Sequence, residues 1–388
     1  MLILKLALRN LFGAGMRTWL NVLVTSVSFT IIILFNSMYD GMREDTRRIM
    51  VDTEVAGGQY WHPVYDQYDP LTIEDSHGKI PDDLIKEVSA GRAIPVLIRQ
   101  ATFYTKGRSS VGLMKGMPAS QNIVRFPLES LQNYKGSYIP VVIGKGMSKK
   151  MGLIKGDTFT VRWLDAYGTY DADEMEIAEV IQLDNYRLDS GQIWLNLETA
   201  RELLRMTDEA TYVVMKNDVD LTVMTNGWVK RNITFFMKDI DAAIEADRVW
   251  AYTIYGLLLF MAGLGIFNSQ VLSIFRRRKE IGTYMALGMT RNRVIRLFTL
   301  EGGLHSVFAL ILGAIYGTPI FYYLATEGIT IPYGDEAGVV SSGSLYPLFS
   351  LELILGTTLI VAGTVTVVSY LPTRKIAKMH PTEVLRGS

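Results

Sequence analysis

The sequence predicts an α-helical membrane protein with four transmembrane helices and a large α+β extracytoplasmic domain inserted between the first and second. Three observations carry this. The stretches 19–38, 249–275, 294–325 and 348–371 are apolar and long enough to cross a hydrocarbon layer about 30 Å thick, which takes roughly 20 helical residues. Lys and Arg gather at particular ends of these stretches. Between the first and second, residues 41–248 instead alternate short β-branched or aromatic runs with Gly, Pro and Asp, as a folded domain does.

Residues 1–40 comprise an amphipathic leader and the first span. The leader has Lys5, Arg9 and Arg17 and no acidic residue. The apolar run is too long for a signal peptide and no small-x-small cleavage pattern follows it, so a retained helix is expected. The sequence stays helix-compatible to about Val55, and 220–248 approaches the second span similarly, predicting two stalks under one domain. Within 41–248, strands are expected at 93–105, 138–143, 158–164 and 174–183. Helices are expected at 82–89, 145–151 and 197–205, the last with Asn196 as its cap. The second span, 249–275, leads into a connector, 276–293. The third, 294–325, is too long for a perpendicular crossing, so its first turns should follow the interface and Pro319 should kink or end it. A short loop, 326–347, the fourth span, 348–371, and a tail, 372–388, complete the chain.

Charge orients these elements. From Arg276 to Glu301 there are seven basic residues, with Glu280 among them, and the tail has Arg374, Lys375, Lys378 and Arg386 against Glu383. The loop 326–347 has Glu327, Asp335 and Glu336 and no basic residue. Positive residues are retained on the cytoplasmic side, so both termini are expected inside and 41–248 outside. That segment holds 25 basic and 31 acidic residues, a mildly acidic surface that excludes nucleic acid as a partner. There is no cysteine, hence neither disulfide nor thiol chemistry.

Catalytic signatures are missing. His62, His77, His305 and His380 have no paired-ligand spacing, so no metal site is expected. No GxSxG occurs, and the Gly-Lys steps at Gly78 and Gly144 are not followed by Ser or Thr, so there is no phosphate-binding loop. Glu301 and His305 lie one turn apart in the third span. They read either as a proton relay or, more simply, as Glu301 at the membrane interface paired with Arg293 or Arg296. Gly313 and Gly317, with Gly256, Gly263, Gly265, Gly356 and Gly363, allow close helix packing, within the chain or against a second copy. If the connector is helical, Ile281, Tyr284, Met285 and 287–289 fall on or beside one face. That pattern suits a helix lying on lipid or one presented to a partner's groove.

The connector resembles the FtsX-like permease domain of ABC transporters, the class containing LolC, LolE and MacB. The residues are Arg277, Lys279, Glu280, Ile281, Gly282, Ala286, Leu287, Gly288, Thr290 and Arg291, followed by Glu301; Met285 replaces a usual basic residue. The leader LALRNLFGAGMRTWLNVL, the tail LPTRKIAKMHPTEVLRG and the segment VVIGKGMSKKMGLIKGDTFTV are similar to family signatures too. The resemblance implies a non-catalytic permease subunit in the inner membrane of a diderm bacterium, paired with a second permease chain, a copy or a paralogue. Two cytoplasmic ATPase subunits, separate chains holding ATP and Mg, would receive the connector as a coupling helix. The implied cargo is a lipoprotein or another amphipathic molecule, with a periplasmic carrier or adaptor as a possible further partner. The alternatives are a MacB-like exporter and an FtsX-like transmitter controlling an envelope enzyme; a cell-division role fits poorly, because FtsX has a much shorter outer domain. Lol-like members hook their carrier through a hairpin, whose counterpart here is Trp163–Asp173, short and without proline. Exposed Trp163, Tyr167 and Tyr170 would form a docking tip there, or else simple cross-strand packing.

Overall fold

The computed structural model describes residues 15–105, 107–217, 227–330 and 344–376. The leader with Lys5 and Arg9, the loop acids Asp335 and Glu336, and the tail from 377 onward, including Lys378, His380, Glu383 and Arg386, lie outside the described residues.

Among the described residues the α-helices of more than one turn are α1 (Met16–Met50), α2 (Asp82–Ser89), α3 (Lys145–Met151), α4 (Leu197–Leu204), α5 (Ile233–Arg276), α6 (Arg278–Ala286), α7 (Arg291–Glu327) and α8 (Leu351–Ile376). Among the described residues four of them, α1, α5, α7 and α8, are long and apolar enough to cross a membrane. The chain divides into two compact units, one of 1–42, 243–329 and 346–388, the other of 43–242 and 330–345.

In the first unit, Phe29 and Ile33 of α1, Ile266 of α5 and Val361 and Val365 of α8 form a shared apolar core. Small residues bring backbones together inside the chain. A Cβ on Gly302 of α7 would lie 2.2 Å from Ser369 Oγ of α8, and one on Gly313 would lie 2.9 Å from Phe29 of α1. By contrast, Gly256, Gly356 and Gly363 face open space. Polar ties add to this packing: Asn21 Nδ2 donates to Gly265 O (3.2 Å), and Thr30 Oγ1 donates to the Tyr316 hydroxyl (3.0 Å). Pro319 lies inside α7 and does not end it. The helix continues to Glu327, where Gly328 at φ +73° stops it.

The second unit is built on a mixed sheet. The strands of residues 59–231 are β1 (Gln59–Trp61), β2 (Gly78–Lys79), β3 (Ala93–Thr105), β4 (Arg108–Met117), β5 (Ile139–Gly144), β6 (Thr158–Leu164), β7 (Tyr170–Ile181), β8 (Gln192–Asn196), β9 (Glu209–Ala210), β10 (Tyr212–Met215) and β11 (Val229–Arg231), of which β2 and β9 form a separate two-stranded sheet. The order β3-β4-β8-β5-β7-β6 closes on itself, because the far half of the long β3 also pairs with β6 (Phe103 opposite Val161). The near half of β3 pairs with β10, which extends the sheet through β1 to β11. Closure removes two edges and encloses a core of Phe103, Val141, Ile143, Val161, Trp163 and Ile193, plugged by α3 and α4.

Several local expectations shift. The last predicted strand begins earlier, at Tyr170, because its first residues pair with Leu164 and Trp163 across a tight turn. Asn196 precedes α4 without capping it through its side chain. The strands β4 and β8, absent from the sequence reading, are central to the closed sheet.

Trp163 is 2% exposed. Trp163→Ala should therefore cost about 3–5 kcal/mol, the usual range for emptying a buried aromatic site. Urea unfolding of the full chain in detergent, followed by circular dichroism, checks this; a loss under about 1 kcal/mol would contradict the closed core.

Candidate functional site

The site is the connector between α5 and α7, and its backbone explains its sequence. After Arg276 the chain turns at Arg277 (φ −102°, ψ 18°), and α6 begins with Ile281 N–H donating to Arg277 O (3.0 Å). At the other end, Gly288 N–H donates to Met285 O (3.1 Å) and Met289 N–H to Tyr284 O (2.9 Å). This is the Schellman pattern, with Gly288 at φ +92°, a region costly for any residue with a side chain. Thr290, in extended conformation, then opens α7, its carbonyl accepting from Arg293 and Val294 N–H. So Ala-Leu-Gly-x-Thr encodes a helix stop, a sharp reversal and a helix start.

Packing seats the helix. Ile281, 3% exposed, joins Ile274 of α5 and Val294 and Phe298 of α7, with Met285 and Met289 against them. The connector's apolar face is thus occupied within the chain and not left for lipid. Gly282 is buried beside Ile281. Leu287 leaves this face, because α6 ends at Ala286, and it stands 81% exposed. Around it Lys279, Glu280, Ala286, Gly288 and Arg291 are exposed as well. Of the residues expected to meet an ATPase, Ile281, Gly282 and Arg277 therefore face inward, and Lys279, Glu280, Ala286, Leu287, Gly288 and Arg291 are exposed.

Electrostatics lock the seat. Glu301 of α7 is 3% exposed, and Arg277 Nη1 donates to its Oε2 (3.0 Å) and Oε1 (3.4 Å). Arg277 Nε donates to Glu280 Oε2 (2.9 Å), and the guanidinium lies 5.1 Å from the Phe298 ring centroid. The expected partners Arg293 and Arg296 are displaced by Arg277, which reaches Glu301 from the turn before α6. Sequence spacing did not reveal this pair, since 24 residues separate its members; their co-occurrence in one motif was the available signal. His305 Nδ1–H donates to the carbonyls of Glu301 (3.0 Å) and Gly302 (3.2 Å), a helix-internal role. Among the described residues no His and acidic cluster is arranged to hold a metal.

The second expected site is corrected in part. Trp163 is buried, with Nε1 donating to Leu203 O (3.2 Å), so it belongs to the core and not to a docking tip. Tyr167 and Tyr170 are 77% and 68% exposed. The turn between β6 and β7 is held by Asp165, whose Oδ1 accepts from Thr169 N–H (2.8 Å) and Tyr167 N–H (2.9 Å). The Thr169 amide, foremost among its surroundings, keeps this carboxyl below its ordinary range. Arg162 stands between Tyr104 and Tyr170, 5.7 and 5.0 Å from their ring centroids.

The described residues thus comprise four helices long and apolar enough to cross a membrane, a polar connector between α5 and α7, and a mixed-sheet unit. Residues 252–381 match the family described as FtsX-like permease C-terminal, the resemblance read from the connector. The chain is similar to the uncharacterized ABC transporter permease YknZ of Bacillus subtilis, 26% identical over 56% of this chain and 50% of that one. It is similar to the macrolide export ATP-binding/permease protein MacB of Psychrobacter arcticus, 28% identical over 40% of this chain and 21% of that one. The lipoprotein-releasing system transmembrane protein LolC of Neisseria meningitidis is 19% identical over 76% of this chain and 77% of its own. The chain spans about half the length of the first curated relatives it matches.

Arg277→Ala takes the guanidinium from the buried Glu301 carboxylate and should cost about 3–5 kcal/mol, while Arg277→Met combined with Glu301→Leu should cost much less. Thermal unfolding of the detergent-solubilised chain decides this, and equal losses in both variants would contradict a paired seat. Gly288→Ala should cost about 1–2 kcal/mol through its backbone alone. A neutral result in the same assay would mean that the reversal does not need the left-handed conformation.

Proposed function

We propose that this chain is the permease subunit of an ABC transporter, in which α6 docks in a groove of a separate cytoplasmic ATPase and passes its movement to α5 and α7. The observation that carries the reading is the double character of the connector. One face is fixed to α5 and α7 by Ile281 and the Arg277–Glu301 bridge, and the other presents Leu287 between Lys279 and Arg291. A helix that only rested on lipid would turn its apolar face outward. Rigid attachment is what force transmission requires, because a loosely held helix would absorb the partner's motion. The match over 252–381 supports the same reading.

In this proposal two ATPase copies, carrying ATP and Mg, act on a pair of permease chains. The chain has both termini inside, its large domain faces the periplasm, and it performs no catalysis itself. The cargo is a lipoprotein or another amphipathic molecule leaving the inner membrane, a choice supported by the extent of the LolC alignment. A second reading, an exporter with a periplasmic adaptor or a transmitter to an envelope enzyme, is favoured by one feature. The exposed pair Tyr167 and Tyr170 sits at a short, well-braced turn suited to docking a folded protein.

Leu287→Asp or Glu280→Lys should leave membrane insertion intact and reduce co-purification of the ATPase at least tenfold, about 1.4 kcal/mol of binding. Affinity purification from native membranes with quantitative mass spectrometry reads this. Unchanged recovery in both variants would remove the docking assignment, and lipidated cargo or a folded envelope protein in the wild-type sample would separate the two readings.

A further inference from the structure

One groove of the helical unit is apolar along its length and charged at one end. It lies between α7 and α8 and has a volume of about 490 Å³. Its walls are Ile295, Leu300 and Gly303 from α7 and Thr366 from α8, with Arg296 and Tyr370 at the end nearest the connector. From Arg296 to Gly303 it runs for about 10 Å of helix axis.

The groove follows from two neighbouring glycines. At Gly302 the helices touch, since any Cβ would strike Ser369. At Gly303, turned away from that contact, a Cβ would find only Thr366 Oγ1 at 3.5 Å, and the missing side chain leaves the space open. Thr299 Oγ1 in the same lining is buried without a hydrogen-bond partner among the described residues. Arg296 is exposed and makes no ion pair with a described residue. A comparable groove between α5 and α8, about 370 Å³, is lined by Gly256, Phe260, Val368 and similar residues, with no charge at all.

We propose that the α7–α8 groove is a binding site for an anionic phospholipid of the cytoplasmic leaflet, with the phosphate on Arg296 and one acyl chain lying along Ile295 to Gly303. The leaflet assignment rests on the reading of the connector as cytoplasmic. Charge complementarity selects this occupant. A guanidinium at a membrane interface matches phosphate oxygens in a two-pronged geometry, and a groove one side chain deep accepts a single hydrocarbon chain. Bound lipid there would brace α7 one turn before Glu301, so membrane composition would act on the helix that carries the connector.

The test relipidates the purified full chain with mixed phosphatidylglycerol and phosphatidylcholine and counts retained lipids by native mass spectrometry. Wild type should retain phosphatidylglycerol preferentially. Arg296→Gln should lower that preference about fivefold, the effect of one basic residue at an anionic surface. Gly303→Leu, which fills the groove without a backbone clash, should abolish retention, while Gly256→Leu in the uncharged groove should not. Equal retention of both lipids by wild type, or retention unaffected by both α7 substitutions, overturns the site. So does a loss of association between permease chains in place of a loss of lipid. Because the chain has no cysteine, Thr290→Cys can be labelled without background. Labelling only after permeabilisation supports the leaflet, and labelling from outside overturns the topology while leaving the lipid preference to be judged separately.

Discussion

A buried carboxylate must be neutralised, and here Arg277 neutralises Glu301. The arginine belongs to the turn between α5 and α6, the glutamate to the third turn of α7. The bridge therefore fixes three helices at one point. Burial raises the worth of this bond, because taking the guanidinium from a buried carboxylate is costly, whereas an exposed pair would contribute little. The apolar cluster around Ile281 and Phe298 and the reversal at Gly288 work with it. Together they convert a highly basic stretch into a fixed projection with Leu287 at its outer edge.

The same logic separates what holds the unit from what it offers to others. Gly302, Gly265 and Gly313 are consumed by contacts within the chain, as is the polar chain from Thr30 to Tyr316. Left over are Gly256, Gly356 and Gly363, two open grooves, and the connector's outer surface. In the α+β unit the closed sheet buries Trp163 and turns Tyr167 and Tyr170 outward. The exposed residues Leu287, Tyr167 and Tyr170 thus all lie at or beside short turns.

The four long apolar helices were legible because hydrophobic length is a local property of the chain. Strands such as 93–105 and 158–164 were legible for the same reason, each being a β-rich run bounded by Gly, Pro or Asp. Strand β4 was not, since RSSVGLMKGM lacks alternation and acquires its strand character from pairing with β3 and β8. Burial of Trp163 had a local signal: Phe159, Val161 and Trp163 alternate along the strand 158–164, and this period of two places all three on one buried face. The connector's motif was visible at once, but the pairing of Arg277 with Glu301 depends on how α6 folds back, which no spacing rule gives.

In the proposed function, Leu287 and its neighbours are the surface through which a nucleotide-hydrolysing partner moves this protein. A photo-crosslinking amino acid placed at Leu287 in native membranes, followed by identification of the adduct, tests it most directly. The expected product is a covalent adduct with a protein carrying a phosphate-binding loop. Adducts confined to lipid or to a second copy of this chain would contradict it.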